Sequence, residues 1–398
     1  MILKPVANPL LSIDDARAVV LAAVTQLPQA AVPIEAALDR VLRRDVVAAH
    51  DVPVFASSAM DGFALQSGPS GRRLQLIGEA RAGAPFDDTV GPGQAVRIST
   101  GGAGPAGADA VLQLELVEDG GDAITLADDV LPGRNVRGAG EDLRAGSTVL
   151  AAGTRLDPAA LGVAVHAGAA QLWCSRRPRV AVLATGDELV APGEPLGPGQ
   201  IHDSNRITLQ ALAMQAGADV VIAQRVPDDL AATQAAIASA LERSDLVVLS
   251  GGVSVGPHDH VKPALAELGV QERFWRVALR PGKPTWFGTH DATLVLGLPG
   301  NPVSAMVTFL LFARPALAAM QGADDGSPPR FAPLGEPAAR HPDRDECVRV
   351  RIVDGQAYPT GPQGSHVLSS MALADALAIV PRGSGILAQG SDVELLSL

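Results

Sequence analysis

The hydrophobic pattern of this chain changes character near residue 179, and the change separates two kinds of architecture. Downstream, continuous apolar runs at 180–184, 220–223, 246–249 and 293–298 alternate with segments of helical spacing. Apolar runs without polar alternation belong to strands buried on both faces, as in a parallel sheet. The segment 206–215, stopped by Gly217, and the segment 230–242, capped by Asp229, read as the helices between them. Such alternation needs right-handed crossovers and predicts a three-layer α/β domain over 179–322. At its end Asn301 offers a cap, and Pro302 a first position, for an apolar, Ala-rich helix reaching Gln321.

Upstream the texture differs. Ser12, followed by Asp14 and Asp15, begins a helix over 13–27, and a second is expected over 34–42. Between residues 72 and 153, short runs at 74–78, 95–98, 110–116 and 123–126 are separated by Gly, Pro and Asp, which reads as an antiparallel β subdomain. It is expected as an insertion at 53–138 in an elongated domain made of 1–52 and 139–178. After a Pro-, Gly- and Asp-rich linker at 323–342, runs at 347–353, 376–380 and 392–396 predict a small C-terminal β domain within 323–398. The fold class is therefore multidomain α/β plus β.

Length and composition narrow the function classes. A chain of 398 residues exceeds one compact core and predicts two to four domains. With 3% aromatic residues, the cores must be aliphatic. A net charge of −12 without a basic run argues against a nucleic-acid partner. Cys174 and Cys347 form neither a metal spacing nor a disulfide framework, which fits a reducing cytosol and a cytoplasmic protein. The first sixteen residues carry no signal-peptide pattern, and Gly, Pro or charge interrupts the longest apolar stretches, so no membrane span is expected.

Three glycine-bearing loops follow apolar runs between Val248 and Phe309. They carry Gly251, Gly252, Gly256 and Asp259; then Arg280, Gly282 and Lys283; then Pro299, Gly300, Asn301 and Ser304. Ligands of parallel sheets lie beyond the carboxyl ends of the strands. Glycine lets backbone N–H groups approach an anion, and Arg280 and Lys283 add positive charge. A helix start at Asn301 also favours phosphate, although PGNP alone could be only a tight turn. Together the loops read as a pocket for a phosphorylated ligand with Asp259 as its acid. Thr185, Asp187 and Glu188 follow the first strand at the same edge and suggest Mg²⁺, which prefers oxygen ligands and bridges to phosphates. The bland alternative makes Asp187 a turn cap. Asp228 and Asp229 are further candidates, one of them as a helix cap.

Other motifs are less specific. Asp61 in SSAMDGFA suits a rigid exposed turn. Gly102, Gly104 and Gly107 spell GxGxxG, but Pro105 interrupts it and a β-type run follows, against a dinucleotide site. Thr100 and Asp109 suit turn capping or ligand contact, and Arg137, Glu141 and Asp142 lie in a polar loop. His258 and His260 flank Asp259 without a third metal ligand. Neither a Walker-A loop nor a GxSxG elbow occurs.

In order, SAMDGFA, TGxxxPxGADAV, GEDLxxG, TGDEL, GGVSVG, PGKP and LPGNPVSA closely resemble the bacterial molybdopterin molybdenumtransferase (MoeA) family, related to the gephyrin E domain. The resemblance covers nearly the whole chain, including GSH at 364–366. It implies four domains in an elongated protomer, a homodimer, and a molybdopterin-binding α/β domain like that of the adenylyltransferase acting one step earlier. The implied reaction inserts molybdate into adenylated molybdopterin with Mg²⁺ and releases AMP. Implied catalytic residues are Asp259, Glu188, Asp61, Asp142, Lys283 and Arg280. Implied ligand contacts are Thr100, Arg137, Thr185, Gly251, Gly252, Ser254, Asp228, Arg276, Gly282, Pro299, Gly300, Asn301, Ser304, Arg349, Arg351 and Ser365. Metal contacts would be Asp187, Glu188 and Asp259. Molybdopterin adenylyltransferase and molybdoenzyme-maturation proteins are expected partners, nucleic acid and membrane are not. Arg276 and Arg280 stand where the family often has lysine, which keeps the charge and alters its geometry. Two other readings stay open: an enzyme that itself adenylates molybdopterin, and a non-enzymatic pterin-binding scaffold.

Overall fold

The computed structural model describes residues 10–253, 259–323 and 330–398. Its central sheet comprises β1 (Arg179–Thr185), β2 (Asp219–Val226), β3 (Leu246–Ser250), β4 (Gln271–Trp275), β5 (Trp286–His290) and β6 (Thr293–Leu298), in the order β2-β1-β3-β6-β5-β4. The first four in that order are parallel, as the uninterrupted apolar runs predict. The register aligns Ala223, Val182, Val248, Leu296 and Phe287 across the sheet. At the other edge β5 and β4 are antiparallel, which the apolar runs did not signal. The chain has only Asp291 and Ala292 between β5 and β6, and Asp291 is left-handed at φ 50°, so a hairpin is the sole connection that fits.

Alternate residues of β1 serve opposite cores. Val180 and Val182 pack with Leu209 and Ala213 of helix α1 (Ser204–Gln215), while Ala181 and Leu183 pack with Ala236 and Ile237 of α2 (Leu230–Arg243). The carboxylates of Asp203 and Asp229 accept the N–H groups of Arg206 and Ala232, capping these helices. After the short helix α3 (Val261–Glu267), the expected apolar helix forms as α4 (Pro302–Thr308), a π-helical turn at Phe309–Ala313 and α5 (Arg314–Gln321). Among the described residues this 20-residue rod is long and apolar enough to cross a membrane, but 83% of its most apolar stretch is buried in the core.

The upstream units form around local pairings. The helix Ile13–Ala22, with Ser12 as its cap, places Ile13, Ala16 and Val20 in the α/β core. The helix expected over 34–42 is a single 3-10 turn, Ile34–Ala36. Asp39 is left-handed at φ 60°, and the N–H groups of Asp39 and Leu42 donate to Leu156 and Thr154, so tertiary pairing takes the helix's hydrogen bonds. Gln29–Pro33 pairs with Gln171–Ser175, and Val46–Val47 with Thr148–Leu150. Between these pairings lies a six-stranded sheet built from Gly62 to Leu126. It is mixed, not wholly antiparallel: Arg73–Ala80 and Gln94–Ile98 run parallel. The second half of SSAMDGFA is not a loop but a fully buried strand, Gly62–Leu65, at that sheet's interior.

The C-terminal sheet has a guest strand. Leu279–Arg280, from the α/β unit, pairs parallel with the start of Asp345–Val353. Strands Ala376–Val380, Asp392–Ser397 and Arg330–Pro333 follow in order. Cys347, Met371 and Leu377 share the α/β core, so the two units are packed together.

Candidate functional site

β1 lies between β2 and β3, so the connections leaving β1 and β3 diverge, and a crevice opens at that point. It is a cavity of about 540 Å³. Thr185, Gly186 and Glu188 reach it after β1, Ser250, Gly251 and Gly252 after β3, and Gly300, Asn301 and Pro302 after β6. Gly251 (φ 90°) and Gly252 (φ 65°) are left-handed. A Cβ on Gly251 would lie 2.8 Å from the Thr185 hydroxyl and 2.9 Å from its carbonyl oxygen, and one on Gly252 would lie 2.5 Å from Val261. Glycine is therefore required for this loop to line the cavity with backbone.

The charge of the cavity is unlike a simple phosphate pocket. Its charged lining consists of Glu188, Asp228 and Asp259, with the imidazoles of His202 and His366 and neither lysine nor arginine among the described residues. Asp187, expected beside Glu188 as a metal ligand, does not line it. Its Oδ1 accepts the Asp228 N–H at 3.1 Å, and its own N–H donates to Asp228 Oδ2 at 3.4 Å, so it ties two loops together. Asp229 is the α2 cap. Among the described residues, no three of His, Cys, Asp and Glu converge into a preformed metal site. The donor set still suits Mg²⁺, because Mg²⁺ is held by one or two carboxylates plus ligand phosphate and water.

Sequence reasoning missed Asn205. Its amide nitrogen donates to Ser250 Oγ at 2.8 Å and to the Gly300 carbonyl at 2.6 Å, bracing two glycine loops, while its buried Oδ1 has no partner among the described residues. The available signal was Asp203, a helix cap at the ligand edge of the sheet.

The expected cations are elsewhere. Arg280 belongs to the guest strand and lines a second cavity, of about 480 Å³, against the C-terminal sheet with Arg340, His341 and Glu346. Its Nη1 lies 3.5 Å from Glu346 Oε2. Lys283 is exposed, and Gly282 packs against Thr308, which a Cβ would approach to 2.7 Å. Arg276 (φ 80°) stacks on Trp275 with its guanidinium carbon 3.8 Å from the ring centroid. Lys262 Nζ is 3.2 Å from the same centroid, and Trp275 Nε1 donates to the Val253 carbonyl at 3.2 Å. Trp275 thus supports the glycine loop from behind. Arg349 is fully buried, and its Nη2 donates to the carbonyls of Pro362 and Gly364, while Nε and Nη1 have no partner among the described residues. Burial pulls its pKa down and the Glu346 charge opposes this. Arg351, on the same strand, is exposed.

The helix start at Asn301 is partly taken. Asn301 makes no cap hydrogen bond to its own helix, its Nδ2 donates to Ser365 Oγ at 3.0 Å, and Val303 N–H donates to the Ser365 carbonyl at 3.2 Å. Pro299 and Ser304 are buried and outside the cavity lining, Ser304 offering its carbonyl to the Thr308 hydroxyl. Asp61, Thr100, Arg137 and Asp142 also lie outside it. Asp61 Oδ1 accepts the Thr100 N–H at 2.7 Å, Arg137 pairs with Ser57, and Asp142 N–H donates to Val52. Asp109 caps the Ser67 turn. Ser254, Gly256 and His258 lie outside the described residues. Burial, with the nearby charges of Asp345 and Glu346, pushes the Cys347 thiol up to about 12, so it stays protonated near neutrality.

Fold and cavity define a multidomain α/β protein with an acid-lined ligand crevice at the switch point of its sheet. Three family models match in order: "MoeA N-terminal region (domain I and II)" at residues 11–168, "Probable molybdopterin binding domain" at 181–319 and "MoeA C-terminal region (domain IV)" at 332–398. A molybdopterin molybdenumtransferase of Haemophilus influenzae is 36% identical, with 91% of this chain and 92% of that protein covered. Molybdopterin molybdenumtransferase 2 of Mycobacterium tuberculosis is 37% identical, with 92% and 94% covered. The crystal structure of the molybdopterin biosynthesis moeA protein from Pyrococcus horikoshii superposes with a TM-score of 0.83 at 28% identity, covering 98% of this chain and 100% of that one. The chain belongs to the MoeA family of molybdopterin molybdenumtransferases.

Proposed function

We propose that this chain is a transferase of molybdenum cofactor biosynthesis that inserts molybdate into adenylated molybdopterin and releases AMP. The observation that carries the reading is the acid-lined crevice in which Glu188, Asp228 and Asp259 face the glycine backbone of two loops. Carboxylates repel a bare phosphate, so a polyanionic ligand there requires a divalent cation between them. Mg²⁺ would be held by Glu188 and Asp259, with Asp228 beside them, and would neutralise charge developing on the departing phosphate. Glycine N–H groups and Thr185 orient the ligand.

Molybdate, a tetrahedral dianion, is drawn to cations, and here the second cavity is lined by Arg280 and Arg340. The dithiolene sulfurs come from the substrate, in keeping with two buried cysteines. The enzyme acts as a cytoplasmic homodimer in this reading, and exposed Ile207 and Met214 on α1 offer apolar surface for a second copy.

The test supplies adenylated molybdopterin, molybdate and Mg²⁺ without ATP. Molybdenum cofactor and AMP should appear in equal amounts. Cofactor formed only after ATP addition would replace this reading with an adenylyltransferase, and binding without turnover would favour a pterin scaffold.

A further inference from the structure

Asn205 is the second residue of α1, a helix whose start is fixed by the preceding Asp203. The Asp203 carboxylate is fully buried, accepting the Arg206 N–H on Oδ1 and Arg206 Nε on Oδ2, each at 3.0 Å. From this base the Asn205 amide nitrogen reaches Ser250 Oγ at 2.8 Å and the Gly300 carbonyl at 2.6 Å. A carbonyl can only accept, so the nitrogen of the amide and not its oxygen must face Gly300. That orientation leaves Oδ1 closed off from solvent and without a partner among the described residues. A buried acceptor left unpaired opposes folding. The two bonds that come with it both end on walls of the acid-lined cavity, at Ser250 and Gly300.

The loops after β3 and β6 already touch. Gly251 N–H donates to the Leu298 carbonyl at 3.1 Å, and a Cβ on Gly300 would lie 3.7 Å from Gly251 Cα. This contact sets the distance between the loops but not the rotation of the Gly300–Asn301 peptide. Glycine leaves that peptide more freedom to turn than any other residue would. In a trans peptide the N–H points opposite to the carbonyl. By holding the Gly300 carbonyl, Asn205 therefore also sets the direction of the Asn301 N–H. Pro302 has no N–H, and the Val303 N–H is taken by the Ser365 carbonyl. Asn301 is thus the residue of this cavity wall whose N–H depends on how its peptide is turned.

We propose that Asn205 is a positioning residue for the phosphate of the adenylyl group, acting through the Gly300–Asn301 peptide that it orients and through Ser250. The inference rests on the reading that adenylated molybdopterin occupies the cavity. Its signature is a side chain whose removal weakens binding and leaves stability nearly unchanged, because relief of the unpaired Oδ1 offsets the two lost hydrogen bonds.

The test uses the full-length protein with Mg²⁺ and AMP as the probe. Wild type, Asn205→Ala, Ser250→Ala and the double variant are compared by calorimetry, thermal melting and hydrogen exchange. Asn205→Ala should weaken AMP about tenfold and melt within about 2 °C of wild type. Its exchange should rise in the peptides covering 250–252 and 300–302 and not in the rest of the α/β unit. Ser250→Ala keeps the Gly300 arm of the brace and should weaken AMP only about threefold. The double variant should bind no more weakly than Asn205→Ala, since the two residues share one interaction. Unchanged AMP affinity in Asn205→Ala, with wild type binding normally, overturns the proposal alone. Strictly additive losses also overturn it, because Asn205 would then act on the ligand independently of Ser250. Lowered melting with exchange raised throughout the α/β unit overturns it in favour of a general structural role. A wild type with no measurable AMP affinity overturns the adenylate reading itself, and the proposal with it.

Discussion

Asp187 and Asp228 hold each other's backbones: each carboxylate accepts the other's N–H, at 3.1 Å and 3.4 Å. The pair joins the loops after β1 and β2, and only Asp228 faces the cavity. Asp187→Asn keeps an acceptor for the Asp228 N–H and should leave turnover within about threefold of wild type, whereas Glu188→Ala should lower kcat by about 100-fold. Asp187→Ala should cost about 1 kcal/mol of stability from the lost bond. Steady-state AMP release and thermal melting check this. An Asp187→Asn protein as inactive as Glu188→Ala would make Asp187 a metal ligand after all.

Asp61 Oδ1 accepts the Thr100 N–H at 2.7 Å, which fixes a polar turn outside the cavity of its own chain. If two-fold assembly brings that turn to the partner's crevice, Asp61→Ala and Asp259→Ala proteins are each inactive but complement one another. An equal mixture after subunit exchange should recover about a quarter of wild-type activity, because half the dimers hold one intact site of two. Mixed dimers demonstrated by mass and yet inactive would refute the shared crevice.

Trp275 supports the Gly251–Gly252 loop through its hydrogen bond to Val253 and carries Lys262 and Arg276 on its ring. Trp275→Phe keeps an aromatic ring and removes the donor. KM for adenylated molybdopterin should rise about fivefold with kcat nearly unchanged, since one hydrogen bond to a positioning carbonyl is lost. A variant with wild-type KM would show that the loop stands without it.

Asp245, just before β3, binds the guanidinium groups of Arg176 and Arg179 at 2.8 Å and 3.3 Å and accepts the Arg179 N–H at 2.8 Å. Burial pushes its carboxyl up, but the Arg176 hydrogen bond, those from Arg179 and the Arg176 charge outweigh it, so it titrates below its ordinary 3.8. A carboxyl whose pKa is lower folded than unfolded stabilises the protein above the unfolded value, and that stability is lost as pH falls through the folded one. Asp245→Asn should therefore cost about 1–2 kcal/mol at pH 7, discounted for the partly exposed arginines. The gap in melting temperature between variant and wild type should narrow as the pH is lowered below about 3.8. A gap independent of pH would assign the loss to packing.

Local sequence determined the parts of this protein that depend on neighbours along the chain. Continuous apolar runs placed β1, β2, β3 and β6, since a strand buried on both faces tolerates no polar alternation. Asp229 caps α2, and Pro302 opens α4, where the local sequence places them, although Asn301 turns its amide to Ser365 and does not cap its own helix. Gly251 and Gly252 are legible as loop-formers because they end an apolar run, and both are left-handed. Pairing between distant segments was decided only by the tertiary structure. Hydrogen bonds to residues 154 and 156 unmade the helix expected after Ile34, and a two-residue turn reversed β5. Joining Leu279–Arg280 to a strand more than sixty residues away took Arg280 out of the phosphate crevice and into a second cavity. His366 entered the crevice by the converse route, on a loop held by Arg349 and α4. The motifs fix which side chains are available, but their spacing along the chain does not fix which cavity each one faces, because that is set by hydrogen bonds between segments far apart in sequence.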